Sequence, residues 1–549
     1  VARAAGTPSD NDMWQRTWDT PDRRAVLGSR HLAAASHPAV TAAGNHVLAS
    51  GGNAVDATLA MAAQCWLTLP GQCGIGGDAF AVVREPDGSV WTVGGSGFGP
   101  DGGEPSFYRD RGCTAVPLRG GLSVAVPGAP AALAALHARS ATLPLDELWA
   151  PAIAAAERGV PCTAKTRADI AAHTELLAAD SGTGAVFLPE RRVPEVGTRL
   201  VQAELAQTMR ILAADPGTFY KGELAEKAVA ALRAADVPFS GDEWQLCGEP
   251  LVGGAISTRY GGVTVHQTPP PSAGWMMLQQ AALSDGRLGE HPVLGADSVD
   301  LFAAAARRAF ADRFAGCASD NDEWRRLLEP DTVRAARAEI AAGERAAPGD
   351  VRPDGDTTAT VAVDAEGRAV SFIHSLAFTF GSGVTIPGTG VVLNNRLGRG
   401  AYLIDGHPNE VRPRRRPLHT LNAWIATDEQ DRLRYVGNTP GGDGQVQWNT
   451  QLLSHLVDHG ADAQQAVSAP RFTVHPGSDA DTIGDEPELR CEDRLGDDVL
   501  TELRGRGHTV RAIGPWDAGG SALVLAADHA AGVLSGGADP RQDGVVLGD

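Results

Sequence analysis

An α+β architecture, with stacked sheets covered by helices, is what this sequence predicts, and three patterns carry the prediction. Phe80 to Val93 reads as one strand, breaks at Pro86-Asp87-Gly88 and resumes, the signature of a hairpin. A second hairpin starts at Thr357-Thr358, alternates through Ala359-Thr360-Val361-Ala362-Val363, turns at Asp364-Ala365-Glu366-Gly367 and returns as Ala369-Val370-Ser371-Phe372-Ile373-His374-Ser375. Alanine-rich stretches over 130–235 and 296–347 supply the helical scaffold.

The remaining elements fall in order around these. Residues 1–30 read as a polar lead-in. Residues 38–66 read as a helix interrupted by the Gly51-Gly52 turn. The stretch 342–356, rich in Ala, Gly, Pro and Asp, reads as an exposed linker. Residues 357–549 alternate strands and helices, and no internal repeat or heptad appears.

Composition narrows the function. The chain has 549 residues and a formal net charge of −20, which argues against nucleic-acid or anionic-membrane partners. Its lysines are Lys165, Lys221 and Lys227, with arginine supplying the rest of the positive charge. With abundant Ala and Gly, this suggests a GC-rich genome such as an actinobacterium's. Seven cysteines are scattered singly, with no CxxC and no Cys/His cluster at zinc spacing. Reduced, mostly buried thiols are expected, and neither metal nor cofactor. No signal-peptide core or membrane span is evident, so the expected location is cytoplasmic, a removed leader aside.

The chemistry concentrates at Thr357. A polar run, Pro353-Asp354-Gly355-Asp356, ends at this hydroxyl, at the mouth of the second hairpin. If the Asp356-Thr357 bond is cut, Thr357 becomes a chain terminus with a base built into the same residue. A terminal amine titrates near pH ~8, so it can take the hydroxyl proton near neutrality.

Blocks along the chain support that reading. They run from His37-Pro38 and Ala43-Gly44 through Gly51-Gly52-Asn53-Ala54-Val55-Asp56-Ala57 and Gly74-Ile75-Gly76-Gly77-Asp78-Ala79-Phe80. Val126-Pro127-Gly128, Phe219-Tyr220-Lys221-Gly222 and Pro269-Pro270-Pro271-Ser272-Ala273-Gly274 follow. After the threonine come Phe380-Gly381-Ser382-Gly383, Gly390-Val391-Val392-Leu393-Asn394-Asn395, Arg416-Pro417-Leu418 and Pro440-Gly441-Gly442. Ala469-Pro470-Arg471-Phe472 and Ala538-Asp539-Pro540-Arg541 close the series. In this order they resemble the γ-glutamyltransferase (γ-glutamyltranspeptidase) family of N-terminal-nucleophile hydrolases over nearly the whole chain.

The resemblance implies a four-layer αββα sandwich built from two segments of one precursor, 1–356 and 357–549, that stay together after cleavage. It implies Thr357 as nucleophile, Ser375 as a second hydroxyl beside it, and Gly441 and Gly442 as the oxyanion hole. Glycine suits that last role because backbone N–H groups can approach an oxyanion without a Cβ clash.

The substrate-recognition positions depart from the family. The arginine that follows the first hairpin in true γ-glutamyl transferases is missing from Val93-Gly94-Gly95-Ser96-Gly97-Phe98-Gly99. An asparagine two residues after the second hydroxyl is Ala377. A glutamine and an aspartate beyond Asn394-Asn395 become Arg396 and Arg399, and a pair of serines becomes His419-Thr420. Replacing an ammonium-binding aspartate by arginine turns attraction into repulsion, several kcal/mol per pair at ~4 Å and an effective dielectric of ~20. What stands there instead is basic: Arg396, Arg399 and His419 with Thr420, and His374 close in sequence. Either these groups hold an acidic substrate, or the arginines point to solvent or pair with surface acids. The run Arg412-Pro413-Arg414-Arg415-Arg416 reads as structural, and the short connection from Asn395 to Arg416 implies a reduced lid.

The expected activity is hydrolysis of an activated carbonyl through a threonyl acyl-enzyme, with γ-glutamyl transfer disfavoured. Carbon–carbon hydrolysis beside a keto or oxalyl-type acid, as in actinobacterial routes to alkyl-proline natural products, is the first expectation. Amide hydrolysis of a small acidic acyl group, as in the oxamate-amidohydrolase-like branch, is the second, ahead of γ-glutamyl hydrolysis. A non-catalytic, uncleaved binding homologue is the reading from another class. Partners are then a small acidic substrate and the two fragments of the precursor, with association of such units into homo-oligomers left open.

Maturation gives the first test. Wild type should run as two bands on a denaturing gel, split at Asp356-Thr357, and Thr357→Ala as one inactive band. A fully active, uncleaved wild type overturns the maturation scheme.

Overall fold

Strands buried on both faces must be covered on both faces, and the central hairpin sets the layering accordingly. The computed structural model describes residues 23–343, 357–477 and 486–549. Within them Thr358–Val363 and Ala369–Ser375 are buried at every position.

Numbered along the chain, the strands of the two large sheets are β1 (Val26–Gly28), β2 (Leu32–Ala35), β3 (Asp78–Arg84), β4 (Val90–Gly95), β5 (Leu251–Gly254), β6 (Ile256–Tyr260), β7 (Val263–Gln267), β8 (Thr358–Val363), β9 (Ala369–Ser375), β10 (Trp424–Thr427), β11 (Leu433–Asn438), β12 (Leu523–Asp528), β13 (Val533–Ala538) and β14 (Val545–Gly548). Among the described residues they form two seven-stranded sheets, ordered β14-β2-β8-β9-β3-β4-β5 and β1-β13-β12-β11-β10-β7-β6. All pairings within both are antiparallel.

The sheets meet face to face. Leu32, Phe80, Val82, Ala359, Val361 and Ile373 of the first pack against Ile425, Val436, Leu523 and Leu525 of the second. Helices α1 (Pro38–Ala49), α2 (Ala54–Thr68), α3 (Ala129–Ser140) and α4 (Leu145–Arg158) cover the outer face of the first sheet, in a core that joins Val55, Leu59 and Leu133 to Ala81, Val83 and Phe372. On the other side α5 (Gly274–Ser284), α6 (Ala296–Gly316), α7 (Gly444–Val457) and α8 (Ala463–Ser468) cover the second sheet through Met276, Phe302, Leu453 and Val467. Helices, two sheets and helices make the four layers expected from the sequence.

Several details revise the sequence reading. The interruption expected at Gly51-Gly52 is there, and it divides 38–66 into two helices, Pro38–Ala49 and Ala54–Thr68. Gly51 takes φ +94° between them, a conformation glycine adopts without strain, and Asn53 then caps α2. Its Oδ1 accepts from Val55 N (2.8 Å) and Asp56 N (3.0 Å), while Asp56 Oδ2 accepts from Asn53 N (2.9 Å). Part of the expected lead-in is structural, since Val26–Gly28 pairs with β13; residues 1–22 lie outside the described residues. So do residues 344–356 of the expected linker, Asp356 among them.

The closing sequence blocks form a buried ionic network. Arg471 pairs with Asp539, and Arg541 bridges Asp539 (3.1 Å) and Glu492 (2.6 Å). Asp539 also accepts from Ala522 N (2.9 Å). Among the described residues no helix is long and apolar enough to cross a membrane.

Gly76 shows how tightly the approach to β3 is packed. A Cβ there would lie 2.0 Å from the Val392 carbonyl oxygen, a backbone atom that cannot swing aside. Gly76→Ala should lower the thermal midpoint, at a cost of about 1–3 kcal/mol, and reduce activity because Asp78 lies two residues on. Calorimetry checks the first effect; an unchanged midpoint contradicts the packing argument.

Candidate active site

The period of two along a strand assigns each site residue to a face. On β8 and β9 the odd-numbered Ala359, Val361, Val363, Ala369 and Ile373 face the second sheet. The even-numbered Ala362, Val370 and Phe372 face the helices. Thr357 and Ser375 follow the odd series. Thr357 Oγ1 donates a 3.1 Å hydrogen bond to Ser375 Oγ, and both residues are buried. Ala377 N donates to the same Ser375 oxygen at 2.8 Å.

The row continues across the sheet. Ser375 pairs in register with Asp78 on β3, and Ala79 with Gly95 on β4, so Asp78 lies one step from Ser96. Asp78 Oδ2 accepts from Arg396 Nε at 3.1 Å, and both side chains are buried. Arg396 begins a five-residue helix, Arg396–Gly400, that also carries Arg399. The arginines therefore reach neither solvent nor surface acids; their exposure is 1% each. Arg399 Nη1 donates to the Ala377 carbonyl (2.8 Å), and its guanidinium lies 4.5 Å from the Phe378 ring.

His419 closes the far side. Its Nε2 lies 2.7 Å from Ser96 Oγ, and its ring stacks edge-on against Phe80 at 4.8 Å. Burial holds the imidazole well below its ordinary pKa, and the nearby charges of Arg396, Arg313, Arg399 and Arg416 act in the same direction. It is neutral at physiological pH. Thr420 is buried beside it, with no hydrogen-bond partner for Oγ1 among the described residues. Arg416 donates to Ser96 O (2.8 Å) and stacks on Phe98 at 4.0 Å. Its neighbours Arg414 and Arg415 pair with Asp101 and Asp320.

Gly441 and Gly442 occupy a buried turn between β11 and α7, at φ +125° and +57°. A Cβ on Gly441 would meet the Trp448 ring at 2.2 Å. Their carbonyls accept from Gly444 N (3.0 Å) and Gln445 N (3.1 Å). Among the described residues their own N–H groups donate no hydrogen bond, and they stand outside any strand ladder. Adjacent buried N–H groups rarely stay unmatched, and this pair has the donor chemistry of an oxyanion site.

His374 does not join this face. It follows the even series, stacks beside Phe372 at 4.9 Å and meets Cys65 and Cys73. Grouping it with the substrate residues overlooked that neighbours on a strand point oppositely. The sequence has no Cys/His cluster at zinc spacing, and this contact arises because residues far apart in sequence converge in space. Sequence reasoning also missed Asp78 and Ser96 as site residues. The hairpin turn at 86–88 was the available signal, since it brings Asp78 and Ser96 to one end of the sheet.

An N-terminal-nucleophile hydrolase is the class that this sandwich and this buried threonine define. The chain belongs to the gamma-glutamyltranspeptidase family, whose model matches residues 40–549. It is 33% identical over 539 residues to the glutathione hydrolase-like YwrD proenzyme of Bacillus subtilis, covering 96% of this chain and 99% of that one. It is 30% identical over 489 residues to the oxamate amidohydrolase proenzyme of Klebsiella pneumoniae, covering 86% and 90%. The cephalosporin acylase of Bacillus halodurans superposes with a TM-score of 0.88 at 29% identity, covering 97% of this chain and 98% of that one.

The Asp78–Arg396 pair predicts a pH effect. Burial pushes the Asp78 carboxyl up to about 6, against the pull of Arg396. As pH falls through that value Asp78 takes a proton, and Arg396 loses the negative charge of that carboxylate. KM for an anionic substrate should therefore fall on acidification through pH about 6 in wild type and stay flat in Asp78→Asn. A KM titration that persists in the variant belongs to another group.

Proposed function

We propose that this protein is a self-maturing threonine amidohydrolase for a small substrate whose scissile carbonyl adjoins a carboxylate or other acidic group. The observation that carries the reading is the buried row Thr357–Ser375–Asp78–Arg396, with Arg399, Arg416 and Arg313 gathered around neutral His419. Such a concentration of guanidinium groups favours an anion, and arginine matches a carboxylate in a bidentate way.

Each residue then has a role. In the precursor the Thr357 hydroxyl attacks the Asp356 carbonyl carbon, the peptide nitrogen becomes the new terminal amine, and water opens the resulting ester. In the mature enzyme that amine takes the hydroxyl proton as Oγ1 attacks the substrate carbonyl. Ser375 Oγ, fixed by the Ala377 N–H, accepts the Thr357 hydrogen bond and so aims the nucleophile. The Gly441 and Gly442 N–H groups stabilise the tetrahedral oxyanion. The proton passes to the leaving amine, and water releases the acid from the acyl-enzyme.

Relatedness to an oxamate amidohydrolase supports the acidic acyl half and the amide bond. The carbon–carbon expectation keeps the same roles and changes the leaving group alone. The positions that would hold a γ-glutamyl α-amino group are here Arg396 and Arg399, which supports discrimination against γ-glutamyl substrates.

Rates with oxamate, an N-oxalyl amide, an acylpyruvate-type ketone, glutathione and γ-glutamyl-p-nitroanilide test this. The first two should be turned over in preference to the γ-glutamyl pair. Arg399→Ala should lower kcat/KM for the acidic amides by roughly tenfold or more, the worth of one charge-assisted bond. Efficient glutathione hydrolysis overturns the specificity, and preference for the ketone moves the assignment to carbon–carbon cleavage.

A further inference from the structure

Three side chains outside the proposed reaction meet directly behind the nucleophile. Cys65 lies late in α2, Cys73 in the loop that follows, and His374 on β9. A ligand atom from each lies within 4.8 Å of the other two, and all three residues are at most 1% exposed. Both thiols are free of disulfides. Among the described residues neither ring nitrogen of His374 has a nitrogen or oxygen hydrogen-bond partner, and the Cys65 thiol is what the ring faces.

We propose that Cys65, Cys73 and His374 form a zinc site that pins α2 to the catalytic hairpin. Two thiols and an imidazole are the donors that a thiophilic divalent cation selects. With Zn–S of about 2.3 Å and Zn–N of about 2.0 Å, a tetrahedral site separates its ligand atoms by roughly 3.5–3.8 Å. A contraction of about 1.3 Å at most, from the 4.8 Å limit, therefore closes the cluster around the ion.

Charge supports the choice of metal. Binding releases one proton from each thiol, so two thiolates and a neutral imidazole cancel Zn2+ completely. A net-neutral centre suits these surroundings, since Cys65 and Cys73 belong to the apolar core that also holds Leu67, Ile75 and Phe372. The Thr358 hydroxyl is also buried, with no nitrogen or oxygen hydrogen-bond partner among the described residues, and lies against the Cys65 thiol. It is placed to serve as a neutral fourth ligand. Thr358 and His374 are cross-strand partners, so the ion would fix the two strands whose next residues are Thr357 and Ser375. Burial of the cluster implies loading as the chain folds.

The test uses the full chain expressed in medium supplemented with Zn2+ or Co2+, then purified and dialysed against chelator. One equivalent of zinc per chain is expected by mass spectrometry, and the cobalt form should show a thiolate-to-metal charge-transfer band. Cys65→Ser and Cys73→Ser should lose the metal and the band, while Cys113→Ser, at a half-buried cysteine elsewhere, keeps both. His374→Gln should retain metal weakly and shift the band. Wild type carrying well under one equivalent from either medium, or lacking the charge-transfer band, overturns the proposal without reference to any variant. Full metal retention in a Cys65→Ala, Cys73→Ala double variant does the same.

Discussion

The rest of the site depends on one constraint, that the β8–β9 hairpin is buried on both faces and must keep a single register. The odd series faces the second sheet and carries Thr357 and Ser375; the even series faces the helices and carries Thr358 and His374. A slip of one residue would exchange the two sets and remove Thr357, the proposed nucleophile, from its partner hydroxyl. The turn locks this register from outside the sheet. Asp364 Oδ1 accepts from Glu366 N (3.1 Å) and Arg368 N (2.9 Å), while Oδ2 accepts from Ala54 N at the start of α2 (3.0 Å). The helix capped by Asn53 and the hairpin that presents the nucleophile are thus tied at the turn end of the hairpin. The cysteine–histidine cluster lies at its other end.

Within that frame, the site is organised by charge that cannot reach water. A buried ion pair such as Asp78–Arg396 is weak evidence for stability, because desolvation offsets much of its attraction. Its value here is positional. Asp78 holds the Arg396 side chain to the row that starts at Thr357, while burial, reinforced by the surrounding guanidinium groups, keeps His419 neutral. A neutral imidazole can then share a proton with Ser96 Oγ without adding a further positive charge to the pocket. The loops around it are pinned by amides: Asn394 Nδ2 donates to Gly76 O and Ala125 O (3.0 Å each), and Asn395 accepts from Phe378 N (3.0 Å) and donates to Leu118 O (2.8 Å).

Much of this was legible in the sequence because it is local. The two hairpins, the Gly51-Gly52 break and the Thr357 position depend on short-range alternation and turn chemistry, which a single chain displays. The four layers and the second hydroxyl at Ser375 came through resemblance; the layers are present, and the Ser375 hydroxyl lies 3.1 Å from that of Thr357. What escaped is non-local. Cys65, Cys73 and His374 are separated by up to 309 residues of chain, and no spacing rule links them. The burial of Arg396 and Arg399 was equally hidden, since arginine is usually exposed and nothing local marks one that will sit beside Asp78. His374 was readable in principle: it adjoins Ser375, and alternation alone sends the two side chains to opposite faces.

Ala377 shows how the altered recognition set feeds back on the nucleophile. It holds φ +85° without being glycine, a conformation that costs about 1 kcal/mol or more and persists only when its surroundings enforce it. Two contacts do so: its N–H is held by Ser375 Oγ and its carbonyl by Arg399 (2.8 Å each). Arginine at position 399 therefore acts on both sides of the peptide chain. Its charge helps set the potential of the pocket, while its bond to Ala377 steadies the residue whose N–H orients Ser375, and through Ser375 the Thr357 hydroxyl. The position whose aspartate, by the resemblance, reads the α-amino group is here an arginine that supports the Ser375–Thr357 contact. Arg399→Asp would remove a backbone clamp together with a charge, and so would disturb the Ser375–Thr357 contact as well as the potential of the pocket.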